Sequence, residues 1–131
     1  MNRPLSPHLG VYKFMYTMSL SILHRITGVA ATFGFLGFVW WLMALASGPE
    51  SYARAMHLLS TPLARLLLVG FTFSFVYHFC NGIRHLVWDT GRGLERVHAR
   101  RSGLAVVIAA LLLTALLVWL GCAALAPGST P

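Results

Sequence analysis

Apolar residues dominate three long stretches of the chain, and the charged residues are confined to the segments around them. No Asp, Glu, Lys or Arg occurs in 26–49, 66–83 or 102–131. Because a helix needs about 20 mainly apolar residues to cross the hydrocarbon core of a bilayer, the pattern predicts transmembrane helices at about 21–47, 62–88 and 104–126. These segments are apolar on all sides, which is typical of a lipid-embedded bundle.

Turn and capping residues separate the predicted helices. Ser47-Gly48-Pro49 follows the first, Ser60-Thr61-Pro62 opens the second, and Gly91-Arg92-Gly93 follows the second. We therefore expect an all-α fold, a bundle of three transmembrane helices within a larger heteromeric helical bundle. Its parts are an N-terminal arm at 1–20, a single membrane domain at 21–126 and a short tail at 127–131.

The composition excludes a water-soluble domain. Of the 131 residues, 57% are hydrophobic and 10% are charged, against about 25% charged residues in soluble proteins. The net charge is +7. Eight of the ten basic residues lie at the N-terminal end or around the second loop: Arg3, Lys13, Arg25, Arg84, Arg92, Arg96, Arg100 and Arg101. The positive-inside rule then predicts a cytoplasmic N-terminus and a periplasmic C-terminus, with no nucleic-acid partner.

Ser21, His24 and Arg25 form a polar group at the start of the first predicted helix. Spacings of three and four residues place their side chains on one helical face. A hydroxyl, an imidazole and a guanidinium that converge at a membrane interface can hold an anion or a carbonyl ligand. The alternative is that His24 and Arg25 only anchor the helix by extending to the lipid headgroups.

His78, Arg84 and His85 form a second polar group toward the end of the second predicted helix. His78 lies about 15 Å deeper than Trp88, near the middle of the membrane. An ionisable side chain at that depth is expected to pair with a polar neighbour, to move protons or to bind a metal.

The histidines are candidate haem ligands, and their spacing leaves two arrangements open. Haem b takes two axial imidazoles from facing helices. His24 and His85 could form a pair within the chain near the membrane surface. Alternatively, His78 could hold a deeper haem; we expect no partner histidine at its depth in this chain, so the second ligand would come from another subunit.

Together the two polar groups resemble the cytochrome b (large membrane-anchor) subunit of succinate dehydrogenase, respiratory complex II. The matching residues are Arg3-Pro4-Leu5-Ser6-Pro7-His8-Leu9 with Tyr12, Ser21-x-x-His24-Arg25-x-Thr27-Gly28, and His78-x-x-x-Gly82-Ile83-Arg84-His85-x-x-Trp88-Asp89-x-Gly91. The resemblance covers residues 3 to 91 and the three-span plan. Gly10 departs from it, because a larger polar residue is expected there, and this bears only on the packing of the arm.

The resemblance implies a haem b shared with a partner subunit. It favours the deeper of the two arrangements, with His78 as an axial ligand of the iron and the second axial histidine on the partner membrane-anchor subunit. His24, Arg84 and His85 then lie near the haem propionates.

The resemblance also implies a place in an enzyme complex. The chain alone is not expected to be an enzyme; as a subunit of succinate:quinone oxidoreductase it takes part in electron transfer from succinate to ubiquinone. Ser21 and Arg25 match positions of the ubiquinone site. FAD and iron–sulfur clusters are expected only in the flavoprotein and iron–sulfur subunits. We expect location in a bacterial inner membrane, since the chain lacks an Arg/Ser-rich transit segment.

Two other functions fit parts of the pattern. A small transporter or proton-conducting protein would use the polar residues as a pathway, but it needs polar groups through the full membrane depth, and the third helix offers only Thr114. A structural anchor that has lost its haem would not need the histidines.

Overall fold

The computed structural model describes residues 16–124, which form four α-helices. They are α1 (Tyr16–Ala46), α2 (Pro49–Leu59), α3 (Pro62–Asp89) and α4 (Arg96–Ala124). Three of them, α1, α3 and α4, are long and apolar enough to cross a membrane, which confirms the predicted all-α bundle with three spans. The first fifteen residues of the predicted arm, and the tail at 127–131, lie outside the described residues.

The breaks between the helices follow the turn residues that mark them in the sequence. Gly48 has a φ angle of 105°, in a backbone region that favours glycine, and Pro49 begins α2. The Thr61 hydroxyl accepts a hydrogen bond of 3.4 Å from the Ala64 N–H and caps α3. Two more glycines with positive φ, at 91 and 93, turn the chain from α3 into α4. Short turns of this kind make consecutive spans antiparallel neighbours.

The apolar pattern of the sequence did not predict the short helix α2. Pro49 and Glu50 occupy its first turn, where a fixed φ and a negative charge both favour a helix. Arg54 pairs with Glu50 at 2.7 Å on the exposed side, while Ala55 is buried. These signals are present in the sequence, but a helix of 11 residues is too short to register as a transmembrane segment.

Two helices begin earlier than the apolar pattern predicts. α1 begins at Tyr16 instead of residue 21, and α4 begins at Arg96 instead of residue 104. Hydropathy marks the edge of the hydrocarbon core, whereas a helix continues into the interface because its backbone stays hydrogen-bonded there. Three of the arginines that the pattern assigned to the second loop and its flank therefore lie on the first turns of α4: Arg96, Arg100 and Arg101.

The middle helix, α3, packs against both α1 and α4. Its Val76 and Tyr77 form the buried core with Ala110 of α4. Tyr77 is fully buried, and its hydroxyl donates to the Leu20 carbonyl of α1 at 3.2 Å. Many large apolar side chains of the spans point away from this core and stay exposed. Such an outer surface suits lipid and neighbouring apolar helices, not water.

Candidate functional site

Three histidine side chains converge where α1 meets α3. The His24 ring of α1 stacks on the His78 ring of α3, with centroids 4.0 Å apart and planes inclined by 10°. His85, two turns further along α3, lies with its ring centroid 5.3 Å from that of His24. The two polar groups found in the sequence thus meet in one place, which we call the histidine cluster (His24, His78 and His85).

The depth of His24 corrects one expectation from the sequence. Because the His24 and His78 rings stack with centroids 4.0 Å apart, the two side chains lie at the same level of the bundle. The expectation that His78 has no histidine at its own depth in this chain is therefore wrong. The two rings are nevertheless not arranged as a ligand pair. An imidazole lone pair lies in the ring plane, and in two nearly parallel planes the lone pairs do not converge on a point between the rings.

The hydrogen bond of His78 defines its protonation form. His78 Nδ1 lies 3.1 Å from the backbone carbonyl oxygen of His24. A carbonyl oxygen only accepts, so Nδ1 carries the proton and donates it. The neutral ring then has its lone pair at Nε2, which is the form of imidazole that binds metal ions. α1 thus holds His78 in the tautomer of a metal ligand.

The backbone of α1 also shapes the space around His78. A Cβ atom on Gly28 would lie 2.8 Å from Cε1 and 3.1 Å from Nδ1 of the His78 ring. Thr27 is buried, and its hydroxyl lies 2.8 Å from the Leu23 carbonyl oxygen and 3.0 Å from that of His24. The segment 24–28 of α1 therefore contacts His78 through the His24 ring, the His24 carbonyl oxygen and the backbone of Gly28, which has no side chain.

One buried polar atom of His24 has no partner in the described part of the chain. Its Nδ1 has no hydrogen-bond partner among residues 16–124, although buried polar atoms are nearly always satisfied in native proteins. Within the same described residues, no three His, Cys, Asp or Glu side chains are grouped so that they could hold a bare metal ion. Within the described residues, the cluster therefore does not form a closed metal site.

Arg84 is buried and faces α4. Its guanidinium donates to the Ser102 hydroxyl at 3.0 Å and to the Ala99 carbonyl oxygen at 2.8 Å, both on α4. A third bond, of 3.2 Å, reaches the Asn81 side-chain oxygen on its own helix. Arg84 therefore connects α3 to α4.

A tryptophan connects Arg84 to the histidine cluster. The Arg84 guanidinium lies over the Trp88 ring, 3.9 Å from its centroid. Trp88 in turn meets His85 edge to face, with ring centroids 5.1 Å apart. The Arg84–Trp88 contact is a cation–π interaction, and the two contacts place α4 in indirect contact with the cluster.

Ser21 and Arg25 lie beside the cluster on α1 but point out of the chain. Both side chains are exposed, and within the described residues neither makes a hydrogen bond or an ion pair. Ser21 lies three residues before His24 and so shares its helical face, whereas Arg25 is the next residue and lies four residues from Ser21. They form an uncovered polar edge next to the histidine cluster.

Sequence reasoning did not assign roles to Tyr77, Asn81 or Ser102. Tyr77 and Asn81 are the two largest fully buried side chains, and Ser102 receives the Arg84 bond. A polar side chain within an apolar helix is the signal that could have identified the first two, because such groups need a partner in a membrane. Ser102 has no comparable signal, since it lies among the arginines that open α4.

The fold and the cluster define a class, a membrane-spanning subunit with a histidine site between two of its helices. The chain matches the family model for the "Succinate dehydrogenase/Fumarate reductase transmembrane subunit" over residues 1–118. It is 45% identical over 115 residues to the succinate dehydrogenase cytochrome b556 subunit of Rickettsia prowazekii (strain Madrid E), which covers 88% of this chain and 90% of that protein.

Bacterial and mitochondrial relatives agree with this match. The cytochrome b556 subunit of Paracoccus denitrificans is 38% identical over 115 residues, covering 88% of each chain. The mitochondrial cytochrome b560 subunit of Mus musculus is 42% identical over 116 residues, covering 85% of this chain and 67% of that protein. The chain belongs to the family of succinate dehydrogenase and fumarate reductase transmembrane subunits. It is therefore an integral membrane protein and part of an enzyme complex, not an enzyme on its own.

Proposed function

We propose that the chain is the haem b-carrying membrane anchor of a succinate:quinone oxidoreductase. It forms part of the ubiquinone site and joins a second membrane-anchor subunit, an iron–sulfur subunit and a flavoprotein subunit. FAD and the iron–sulfur clusters belong to the partner subunits, which deliver electrons from succinate. Family membership supports this function, because relatives at 38% and 45% identity are named cytochrome b subunits of succinate dehydrogenase.

The bond between His78 Nδ1 and the His24 carbonyl oxygen carries the haem proposal. It directs the lone pair of the ring to Nε2, which we assign as an axial donor to the haem iron. Haem b, when bound, supplies a one-electron iron couple. Because the stacked His24 ring cannot act as the second axial donor in this arrangement, we assign that donor to the partner membrane anchor.

We place the haem propionates near His24, His85 and Arg84. The buried Nδ1 of His24 has no partner among the described residues, and a turn of the ring toward the chain surface would let a propionate oxygen satisfy it. His85 lies beside His24, with ring centroids 5.3 Å apart, and would supply a second imidazole donor. Arg84 contributes its positive charge from α3, while its guanidinium stays bonded to α4.

Ser21 and Arg25 are the proposed ubiquinone residues. Both are exposed beside the histidine cluster, so a ligand can reach them from outside the chain. The Ser21 hydroxyl would donate a hydrogen bond to a quinone oxygen. The Arg25 guanidinium would stabilise the negative charge that develops on the quinone as electrons arrive, and protons would come from water at the interface.

The basic residues support a cytoplasmic location for this end of the bundle. We propose that the N-terminus is cytoplasmic, the C-terminus is periplasmic and the membrane is a bacterial inner membrane. The exposed arginines after α3 and along the start of α4 would then face the acidic surface of the iron–sulfur subunit or anionic lipid headgroups: Arg92, Arg96, Arg100 and Arg101. The opposite half of the α1–α3 contact is lined mainly by apolar side chains, which disfavours a polar transport pathway.

Replacing His78 by Ala tests the haem assignment. We expect the purified complex to lose its low-spin haem b, or to convert it to another spin state, because one axial donor is removed. The pyridine haemochrome content and the absorption spectrum measure this. His98→Ala is the matched control, since His98 is an exposed histidine of α4 that pairs with Glu95, the residue before that helix. An unchanged spectrum in His78→Ala would move the ligand to His24 or His85, and a wild-type complex without haem b would rule out the cytochrome function.

Replacing Ser21 by Ala or Arg25 by Leu tests the quinone assignment. The loss of one hydrogen bond to a charged group, about 1.5–3 kcal/mol, corresponds to a decrease in succinate–ubiquinone turnover of roughly tenfold or more. Succinate reduction of a soluble dye should stay unchanged. Ser47→Ala and Arg65→Leu are controls, because Ser47 directly follows the opposite end of α1, Arg65 lies in the first turn of α3, and both are exposed. Equal loss of both activities would indicate failed assembly and contradict a quinone role.

A further inference from the structure

We propose that Gly28 and Thr27 of α1 are positioning residues that set the orientation and the donor strength of the His78 imidazole. This proposal rests on the proposed function, because it concerns His78 as a haem ligand. It goes further, since it assigns control of that ligand to a segment of a different helix. The segment contains no residue to which the haem proposal gives an axial role.

Three contacts from α1 define the position of the His78 ring. The His24 ring covers one face, with centroids 4.0 Å apart. The His24 carbonyl oxygen accepts the Nδ1 proton at 3.1 Å. The backbone at Gly28 lies so close that an added Cβ would be 2.8 Å from Cε1. A histidine side chain has two torsions, so a stacked face, a hydrogen bond and a steric limit leave the ring little freedom to rotate.

Gly28 matters because of its missing side chain. A Cβ atom there would also lie 3.1 Å from Nδ1, the atom that donates to the His24 carbonyl. An alanine would therefore push the ring away from that carbonyl and lengthen the hydrogen bond. A weaker bond at Nδ1 makes the imidazole a weaker donor to a metal at Nε2. A weaker donor stabilises the oxidised iron less, so the midpoint potential of the haem should rise.

Thr27 acts on the other side of the same hydrogen bond. Its hydroxyl lies 2.8 Å from the Leu23 carbonyl oxygen and 3.0 Å from that of His24, so its one proton is shared between them. In a helix the His24 carbonyl also accepts the N–H four residues on, and a carbonyl oxygen has two lone pairs. The Thr27 hydroxyl therefore competes with His78 for this oxygen. Removing the hydroxyl should strengthen the His78 bond and lower the haem potential.

The experiment compares single variants of the assembled, haem-containing complex. Redox titration gives the midpoint potential, and low-temperature EPR gives the lowest-field g value, which depends on the orientation of the axial imidazole planes. Gly28→Ala should raise the potential and shift the g value. Thr27→Val, which keeps the shape but lacks the hydroxyl, should lower the potential, whereas Thr27→Ser should leave it at the wild-type value. Gly37→Ala is the matched control, because no described atom lies within 4 Å of a Cβ there.

Opposite shifts distinguish positioning from general damage to the fold. If Gly28→Ala and Thr27→Val move the potential in the same direction, or leave both readouts unchanged, the proposal is overturned. If the Gly28→Ala complex does not assemble, the comparison of Thr27→Val with Thr27→Ser tests the proposal alone. A midpoint potential of Thr27→Val that is raised or unchanged then overturns the proposal. These outcomes are separate from failure of the proposed function, which would appear as wild-type complex without haem b or as normal haem in His78→Ala.

Discussion

α1 and α3 contact each other over two regions that use different interactions. In the region around the histidine cluster, which we call the histidine half, Tyr77 and His78 both donate hydrogen bonds to backbone carbonyls of α1. In the region nearer α2, which we call the aromatic half, Phe35 meets two rings of α3 edge to face at centroid distances of 5.6 Å. One region uses directional bonds, and the other uses only the fit between apolar groups.

The aromatic half also leaves more space. A cleft of about 830 Å³ lies between α1 and α3 there, and Gly34, Gly37, Gly70 and Phe71 are among its lining residues. Apolar rings beside such a cleft can move without losing a specific partner, whereas a buried polar group in a membrane must keep one. Directional contacts that fix the geometry therefore lie in the half that holds the candidate ligands.

The largest expected effect comes from removing the polar connection of the histidine half to α4. Arg84→Met deletes the donors to Ser102 and Ala99. Interhelical hydrogen bonds in membrane proteins contribute about 0.6 kcal/mol on average and about 1.7 kcal/mol at most. We therefore expect a loss of roughly 1–3 kcal/mol, measured as a lower midpoint of thermal dissociation of the detergent-solubilised complex.

Two controls bracket this effect. Ser102→Ala removes one acceptor and should cost about 0.6 kcal/mol. Arg65→Met changes an exposed arginine at the start of α3 and should leave the midpoint near the wild-type value. If Arg65→Met lowers the midpoint as much as Arg84→Met, the hydrogen bonds from Arg84 to α4 do not stabilise the complex specifically, and this prediction is wrong.

A smaller effect is expected in the aromatic half. An alanine Cβ at Gly34 would overlap the Phe71 ring, but that ring borders the cleft and can move into it. Overpacking costs about 1–3 kcal/mol, and we expect the lower end, measured by the same thermal dissociation. Gly34→Ala combined with Phe71→Leu should cost less than the sum of the single changes, because the two residues are in contact.

Gly34→Ala also tests whether the aromatic half influences the haem independently of the histidine half. Like Gly28→Ala, it adds one methyl group to α1 against a ring of α3. We expect the haem midpoint potential to stay at the wild-type value, because Phe71 makes no hydrogen bond to a candidate ligand. A shift as large as that of Gly28→Ala would show that the two halves do not act separately.

Much of the fold follows from the sequence because the bilayer imposes simple rules. Long runs without charge locate α3 closely; Thr61 and Gly91 mark its own two ends, and Gly48 marks the break between α1 and α2. The start of α1 is harder to predict, since a helix can extend beyond the apolar run that reveals it. The level of α1 relative to α3 is not given by the sequence either, and the contact of His24 with His78 was therefore not predicted.

The candidate site was predictable only in part, for a related reason. A polar residue in an apolar helix stands out, so the three histidines and Arg84 can be found without a structure. Their partners cannot, because the rotation and register of two helices depend on packing between residues distant in sequence. Nothing in the sequence alone indicates that Arg84 turns toward Ala99 and Ser102.

The close spacing of Arg84 and its α4 partners has a consequence for biosynthesis. The two residues of α4 that bind its guanidinium follow it by 15 and 18 positions. At about 5–20 residues per second, a ribosome adds 18 residues in roughly one to four seconds. Ala99 and Ser102, which bind the Arg84 guanidinium, are therefore synthesised within seconds of Arg84. The turn with its two glycines makes α3 and α4 a hairpin that can enter the membrane as a unit, with donors of the Arg84 guanidinium already hydrogen-bonded to α4.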